Sequence, residues 1–207
     1  MRYDAEHKQK TRERVLVEAA KAIRAEGPHQ VGVAGVMAKA GLTHGGFYAH
    51  FSSKDELVAA AIGQMFEESR GKLAQTIEGH TPAEALNGYI NFYLSRSHRD
   101  TRTAGCPLPF LAADAPRLAE PARERFARGV SGLQSSLATQ LVALGHEHPE
   151  DEAASMLAEL VGAVSLARAE PDPVRSDAIL ARSKAALRRR FNLATPKLAT
   201  PKLEIPA

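Results

Sequence analysis

Ala40-Gly41-Leu42-Thr43-His44-Gly45-Gly46-Phe47-Tyr48-Ala49-His50-Phe51-Ser52-Ser53-Lys54-Asp55-Glu56-Leu57 is the stretch on which the reading of this chain turns. Gly41 suits a left-handed turn between two helices, where a Cβ is costly. Gly45 and Gly46 are poor helix formers, at ~1 kcal/mol each. Two of them in so short a segment make sense if a backbone must approach another surface closely. Thr43, His44 and Tyr48 offer a hydroxyl, an imidazole and a phenol along one face, and all can bond to base edges or phosphates in a major groove. Ser53 and Glu56 form a capping box that opens the next helix. Lys54 in its first turn joins a cation to a helix N-terminus, a combination that favours a phosphate. Phe47 and Phe51, with Leu42, Leu57, Val36 and Ala20, form a small core beneath. Tyr48 and His50 could instead plug that core.

Outward from this stretch the pattern is helical almost throughout, rich in Ala and poor in β-branched runs. A first helix is expected from Thr11, a plausible N-cap, through Val15, Leu16, Ala19, Ala20 and Ile23 to the stop at Gly27-Pro28. A second runs from about Val33 to Ala40 and a third from Thr43 to Ala49. The second is separated from the third by the Gly41 turn, which makes a helix-turn-helix. A fourth runs from the Ser53 cap to about Ile77. Thr81-Pro82 starts a fifth, and Gly105-Cys106-Pro107 a shorter one broken near Pro116 and Pro121. Long helices over 122–144, from Pro149, and after Pro171-Asp172-Pro173 complete the chain. The tail repeats Thr-Pro-Lys-Leu twice, which is too little for a repeat architecture and reads as disordered. The fold class expected is all-α.

Composition limits the alternatives. The 207 residues are 44% hydrophobic and 25% charged, enough apolar mass for a folded core. A single cysteine, Cys106, rules out an internal disulfide and any zinc site built on several thiolates. No apolar run spans a membrane and the N-terminus has no signal core, so a reducing cytoplasm is the default. Residues 1–54 carry nine Lys/Arg against five Asp/Glu, with four of the eight His, whereas the remainder is near neutral. A basic first quarter points to a polyanion, or else to a solvated basic face.

The stretch 40–57 closely resembles the DNA-binding segment of the TetR family of bacterial transcriptional regulators. That family shows an Ala-Gly-Val/Leu turn, Ser/Thr-x-Gly, and then Tyr-x-His-Phe-x-x-Lys-x-x-Leu, all matched here. The resemblance covers about residues 11–60. It departs at the second helix, where a Thr or Ser cap is replaced by Val31 or Gly32 and where Gly35 sits inside. It implies a helix-turn-helix domain over 1–52, a helical effector-binding and dimerisation domain over 53–193, and a tail over 194–207. The expected partners are a double-stranded DNA operator, a small-molecule effector and a second copy of the chain, with no membrane, cofactor or metal. The expected function is a ligand-responsive repressor, with an activator of the same fold as the alternative. The expected DNA contacts are Thr11, Arg12, Thr43, His44, Gly45, Gly46, Tyr48, His50 and Lys54. The expected effector pocket draws on Met65, Phe66, Tyr89, Phe92, Tyr93, Cys106, Phe110 and Phe126. Met156, Leu160, Val164, Ile179 and Leu187 are expected to pair two protomers in a four-helix bundle, or else to form an intrachain core.

Cys106, at an expected helix N-terminus near Arg102, should have a lowered thiol pKa, and regulators of this type can sense electrophiles through such a thiol. The other reading is a small buried hydrophobe. Arg96, His98, Arg99 and Arg102 either attract an anionic effector or decorate a solvated loop. An enzyme reading has little to rest on. His44-Gly45-Gly46-Phe47 resembles an oxyanion tetrad, but Gly129-Val130-Ser131-Gly132 is an incomplete nucleophile elbow inside a helical pattern. His146-Glu147-His148 has i, i+2 spacing that splays its rings and reads as a solvated loop.

Overall fold

The computed structural model describes the backbone over residues 2–193 and the side chains over 6–193, so the Thr-Pro-Lys-Leu repeat lies outside the described residues. These residues are all helical or connecting turns. The elements are α1 (Arg2–Glu26), α2 (Val33–Lys39), a 3₁₀ segment (His44–Ala49), α3 (Lys54–Ile77), α4 (Pro82–Tyr93), α5 (Arg96–Asp100), α6 (Leu108–Leu111), a short 3₁₀ turn (Ala115–Arg117), α7 (Glu120–Ala143), α8 (Pro149–Ala169) and α9 (Pro173–Arg190). No helix among the described residues is long and apolar enough to cross a membrane.

The helix stops and starts follow local chemistry. Gly27, Gly41, Gly79, Gly105 and Gly145 all have positive φ, and Gly27, Gly41, Gly79 and Gly145 each close a helix in the left-handed region that a Cβ disfavours. Thr81 and Glu84 make a complete capping box ahead of α4. At α3 only half of the expected box forms. Ser53 Oγ accepts from the Glu56 amide, but the Glu56 carboxylate takes the amide and hydroxyl of Ser52 instead. The start of α1 also differs from expectation. The helix begins at Arg2, so Thr11 lies in its middle, buried, and caps nothing. The i, i+4 pairs Lys10–Glu6 and Gln9–Glu13 support the extra turns.

α1, α2 and the His44–Ala49 segment form an N-terminal head around a small core of Val15, Ala19, Ile23, Val36, Met37, Phe47 and Phe51, and the remaining helices form the body. The core continues without a break into the body along α3, which packs on α1 at one end and on α7 and α4 beyond. At the α3–α7 crossing, Phe66 lies against the backbone of Gly129, where a Cβ would stand only 2.1 Å from the ring. Phe126, one turn earlier on α7, meets Phe66 edge-on at 5.6 Å. α8 packs between α7 and α9. Polar clamps fasten the outer helices. Arg188 of α9 donates to Asn87 and Asn91 of α4, and Arg99 of α5 binds Ser176 and Asp177 of α9. Ser176 in turn donates to the Ala167 carbonyl of α8 at 2.6 Å.

The expected dimer residues need correction. Met156, Leu160, Val164 and Leu187 are buried within the protomer, and Ile179 is half-buried. The apolar stripes of α8 and α9 are wide because these helices close the chain's own core. Their outward faces carry other residues.

The Gly129 crossing makes a stability prediction. Gly129→Ala should force Phe66 from its place and cost about 1–3 kcal/mol, the usual range for overpacking. Gly132→Ala, on the same helix, would meet only the flexible Arg70 chain at 3.5 Å. It should be neutral or stabilise by up to ~1 kcal/mol. Denaturant unfolding of the two variants at one protein concentration tests this. Equal stability would remove the crossing as the tight point of the fold.

Candidate nucleic-acid interface and effector cavity

The 3₁₀ segment His44–Ala49 presents two unlike sides. Phe47 faces inward, stacked on Phe51 at 5.7 Å, which ties the segment to the head core. Thr43, His44, Gly45 and Tyr48 face outward, and Tyr48 is 71% exposed although it is a large aromatic. Its ring rests edge-on against Phe47 at 5.3 Å, so it is held as well as displayed. A Cβ on Gly45 would meet nothing within 4 Å, and one on Gly46 only ordinary contacts with Met37 and Thr43. The protein's own packing therefore does not require either glycine.

The flanking residues are less free. Arg12 lies over the Phe51 ring at 4.4 Å and reaches Glu56 at 3.5 Å. His50 is half-buried with an unpartnered Nδ1. Burial first, then the nearby cations Lys8 and Arg12, hold its pKa below the ordinary histidine value. Lys54 donates to the His29 carbonyl at 3.0 Å, tying the start of α3 to the loop between α1 and α2. Of the nine expected DNA contacts, Thr43, His44, Gly45, Tyr48 and Lys54 lie exposed, and Arg12, Gly46 and His50 are half-buried. Thr11, the ninth, is buried in the middle of α1.

A cavity of about 310 Å³ opens between α3, α4, α5 and the loop that leads to α6. Its walls are Glu68, Ser69 and Lys72 of α3, Tyr89 and Phe92 of α4, Ser97 and His98 of α5, and Thr101, Ala104, Gly105 and Cys106 of the loop. Of the eight expected pocket residues, Tyr89, Phe92 and Cys106 line it. Met65, Phe66 and Phe126 go to the core and the α3–α7 crossing, and Phe110 lies beneath the Arg168 guanidinium at 3.9 Å. Tyr93 is buried behind His98, its ring edge-on to the imidazole at 4.7 Å. These five do not line this cavity. An aromatic at helical spacing turns inward either to core or to a cavity, and spacing alone does not separate the two.

His98 organises the cavity wall, and α5, which places it, is absent from the sequence-level expectation. Its Nδ1 donates to the Tyr93 carbonyl at 2.7 Å, and its Nε2 accepts from the Cys106 amide at 3.1 Å. Phe92 stacks on the ring at 5.4 Å. Burial holds the imidazole in its neutral form by lowering its pKa. The Arg99 and Arg96 charges are spent on Asp100 and Asp177, so they form no free anionic-effector cluster. Cys106 departs from expectation in the same way. It is buried, and burial pushes its thiol pKa up, more than its contacts with Tyr93, Leu108, Ser69 and Arg24 pull it down. The helix that follows is one turn long, too short to supply a dipole of any weight. His146, expected in a solvated loop, is paired with Glu152 at 2.5 Å.

The chain resembles known proteins over both halves. Residues 15–61 match the family model of bacterial regulatory proteins of the tetR family. Residues 82–181 match the transcriptional regulator LmrA/YxaF-like C-terminal domain. No curated protein matches the sequence at a significant level. Among solved structures, the reduced form of E. coli NemR superposes with a TM-score of 0.76 at 21% identity, over 91% of this chain and 100% of that one. A TetR transcriptional regulator from Chloroflexus aurantiacus gives 0.76 at 25% identity, over 90% and 96% of the two chains. One from Cytophaga hutchinsonii gives 0.75 at 20%, over 88% and 96%. With its reading head and its helical body each matched in turn, the chain belongs to the TetR family of DNA-binding transcriptional regulators.

Proposed function

We propose that the protein is a repressor that binds a palindromic operator as a dimer and lets go when a small, largely apolar molecule fills the 310 Å³ cavity. The observation that carries the DNA reading is Tyr48, a rigidly backed phenol standing 71% exposed beside Thr43 and His44. Tyrosine is enriched at interfaces, where its ring packs while its hydroxyl finds a partner. Two glycines that the fold itself does not need, beside that phenol, let the backbone come within reach of a DNA strand. The cavity supports an effector role, because Tyr89 and Phe92 give it an aromatic side and His98 is fixed by its two hydrogen bonds. A molecule bound there shifts the equilibrium only by its differential affinity for the two states.

The dimer is best placed on the outward faces of α8 and α9. Ala158, Val161, Gly162, Ser165, Leu166 and Ala169 share one face of α8, and Val174, Ala178, Ala181 and Ala185 share one of α9. Leu166 is 63% and Val174 76% exposed in the single protomer, while the small residues around them allow helices to approach closely. The half-sites would then lie about one helical turn apart or a multiple of it.

Cys106 on the cavity wall gives the release step a second form, capture of an electrophile by its sulfur. The raised thiol pKa works against that form, since the thiolate is the nucleophile. At neutral pH the native thiol should react with a water-soluble aromatic disulfide more slowly than a free cysteine of pKa about 8.5. A rate equal to or above that of the free thiol would make electrophile capture the operative form.

Two further outcomes are expected. DNA selection from random sequence by the purified protein, followed by anisotropy titration, should recover a palindrome. Tyr48→Ala should weaken binding to it by about 1–3 kcal/mol with an unchanged melting curve. Undiminished affinity would retire Tyr48 as a contact. Leu166→Glu and Val174→Glu should sediment as folded monomers with operator binding lost, whereas Leu160→Glu should fail to fold. Intact dimers of the first two would place the interface elsewhere.

A further inference from the structure

The head and the cavity meet at one side chain. Arg24, in the last turn of α1, is only 2% exposed along its side chain. Its Nη2 donates to Glu68 Oε2 at 2.6 Å, and its Nε donates to the Gly105 carbonyl at 3.1 Å. Glu68 and Gly105 both belong to the cavity wall. A guanidinium of the DNA-reading head is therefore satisfied by two groups of the effector cavity.

The Gly105 carbonyl cannot move without its neighbours. Gly105 has φ +95°, and a Cβ on it would stand 2.5 Å from the His98 ring, so the loop lies directly on the imidazole. The next amide, that of Cys106, is bonded to His98 Nε2, and His98 stacks on Phe92. The loop, His98 and Phe92 thus form one packed wall. Glu68 is 40% exposed at the side chain and has Gln64 as its other neighbour, at 3.5 Å. An occupant of the cavity that displaces this wall, or that turns the Glu68 carboxylate, leaves the Arg24 charge buried with a partner missing. Such a state is strongly disfavoured, so the end of α1 must follow. α1 is also the helix whose Arg12 lies over Phe51, at the end of the reading segment.

We propose that Arg24 is the positioning residue that couples the cavity to the reading head, through its paired bonds to Glu68 and the Gly105 carbonyl. This coupling rests on the DNA-binding reading above and specifies how the cavity regulates it. It adds to the apolar packing that joins head and body a polar latch that is either closed on both partners or broken.

Coupling of binding sites is reciprocal, so DNA on the head must alter the cavity wall as surely as an occupant of the wall alters the head. The test uses the full chain and a duplex recovered by selection from random-sequence DNA, with amide hydrogen exchange read at Gly105 and Cys106. In the wild type, duplex binding should change exchange there by about fivefold or more, the lower end of ordinary allosteric coupling. Arg24→Gln should still bind the duplex but show the same loop exchange with and without it. Glu68→Gln removes the charge partner from the other side, should erase the same response, and carries the test if Arg24→Gln does not fold. A wild-type response retained in the Arg24 variant, or no response in a wild type that binds the duplex, overturns the latch. A wild type that binds no duplex at all overturns the DNA-binding reading and the latch with it.

Discussion

Phe66 lies on the bare backbone of Gly129, and this close crossing sets how α3, the central helix of the body, lies against α7. Only an absent side chain on α7 lets α3 come so close, and α3 is the one helix that runs from the reading segment into the middle of the body. With α3 pinned to α7, the C-terminal half of α3 turns Glu68, Ser69 and Lys72 toward α4 and α5, where the cavity forms. Its N-terminal half receives α1 and carries the head. Close packing of this kind transmits displacement rather than absorbing it, since a dense interior has few voids into which a helix could shift.

The same geometry explains why a regulator can be built from helices with so little polar machinery. The head is small and would be marginal alone, as domains of this size usually are. Its core continues into the body along α1 and α3, so the reading segment borrows rigidity from a much larger unit. That rigidity lets Thr43, His44 and Tyr48 stand exposed without collapsing onto the surface. The body, for its part, spends its polar groups on positions between helices. Arg99 to Ser176 and Asp177, Arg188 to Asn87 and Asn91, and Arg168 to the carbonyls of His98 and Arg99 all bridge separate elements. Each replaces an apolar contact by a directional one and so favours a particular register between helices.

Cys106 and the basic cluster after α4 show how burial overrides local chemistry. By position alone, a thiol beside a helix start and an arginine should ionise readily. In the fold Arg102 is exposed, the helix is a single turn, and the sulfur lies against Tyr93 and Ser69 away from water. Desolvation then outweighs every favourable contact. Arg96 and Arg99, two of the arginines read as a possible anion site, are paired with Asp100 and Asp177, the second of which is more than seventy residues away. That pairing has no trace in local sequence.

What the amino-acid order by itself determined was much of what depends on short range, the start of α1 and the short α5 excepted. The glycine stops, the Thr81 and Ser53 caps, the succession of amphipathic helices and the motif around Tyr48 follow from backbone conformation and neighbours within a few residues. The family resemblance was legible for the same reason, because its signature is a local segment. What only the tertiary structure decided was the destination of each apolar face. Phe66 and Phe126 went to a crossing and Tyr89 and Phe92 to a cavity, while Leu160 and Leu187 went to the protomer's own core rather than to a partner. Helical periodicity says that a residue points inward without saying what it meets there. The meeting of Arg24 with Glu68 and Gly105 belongs to the same class, since it joins groups forty-four and eighty-one residues apart and exists only once two helices and a loop have been packed against one another.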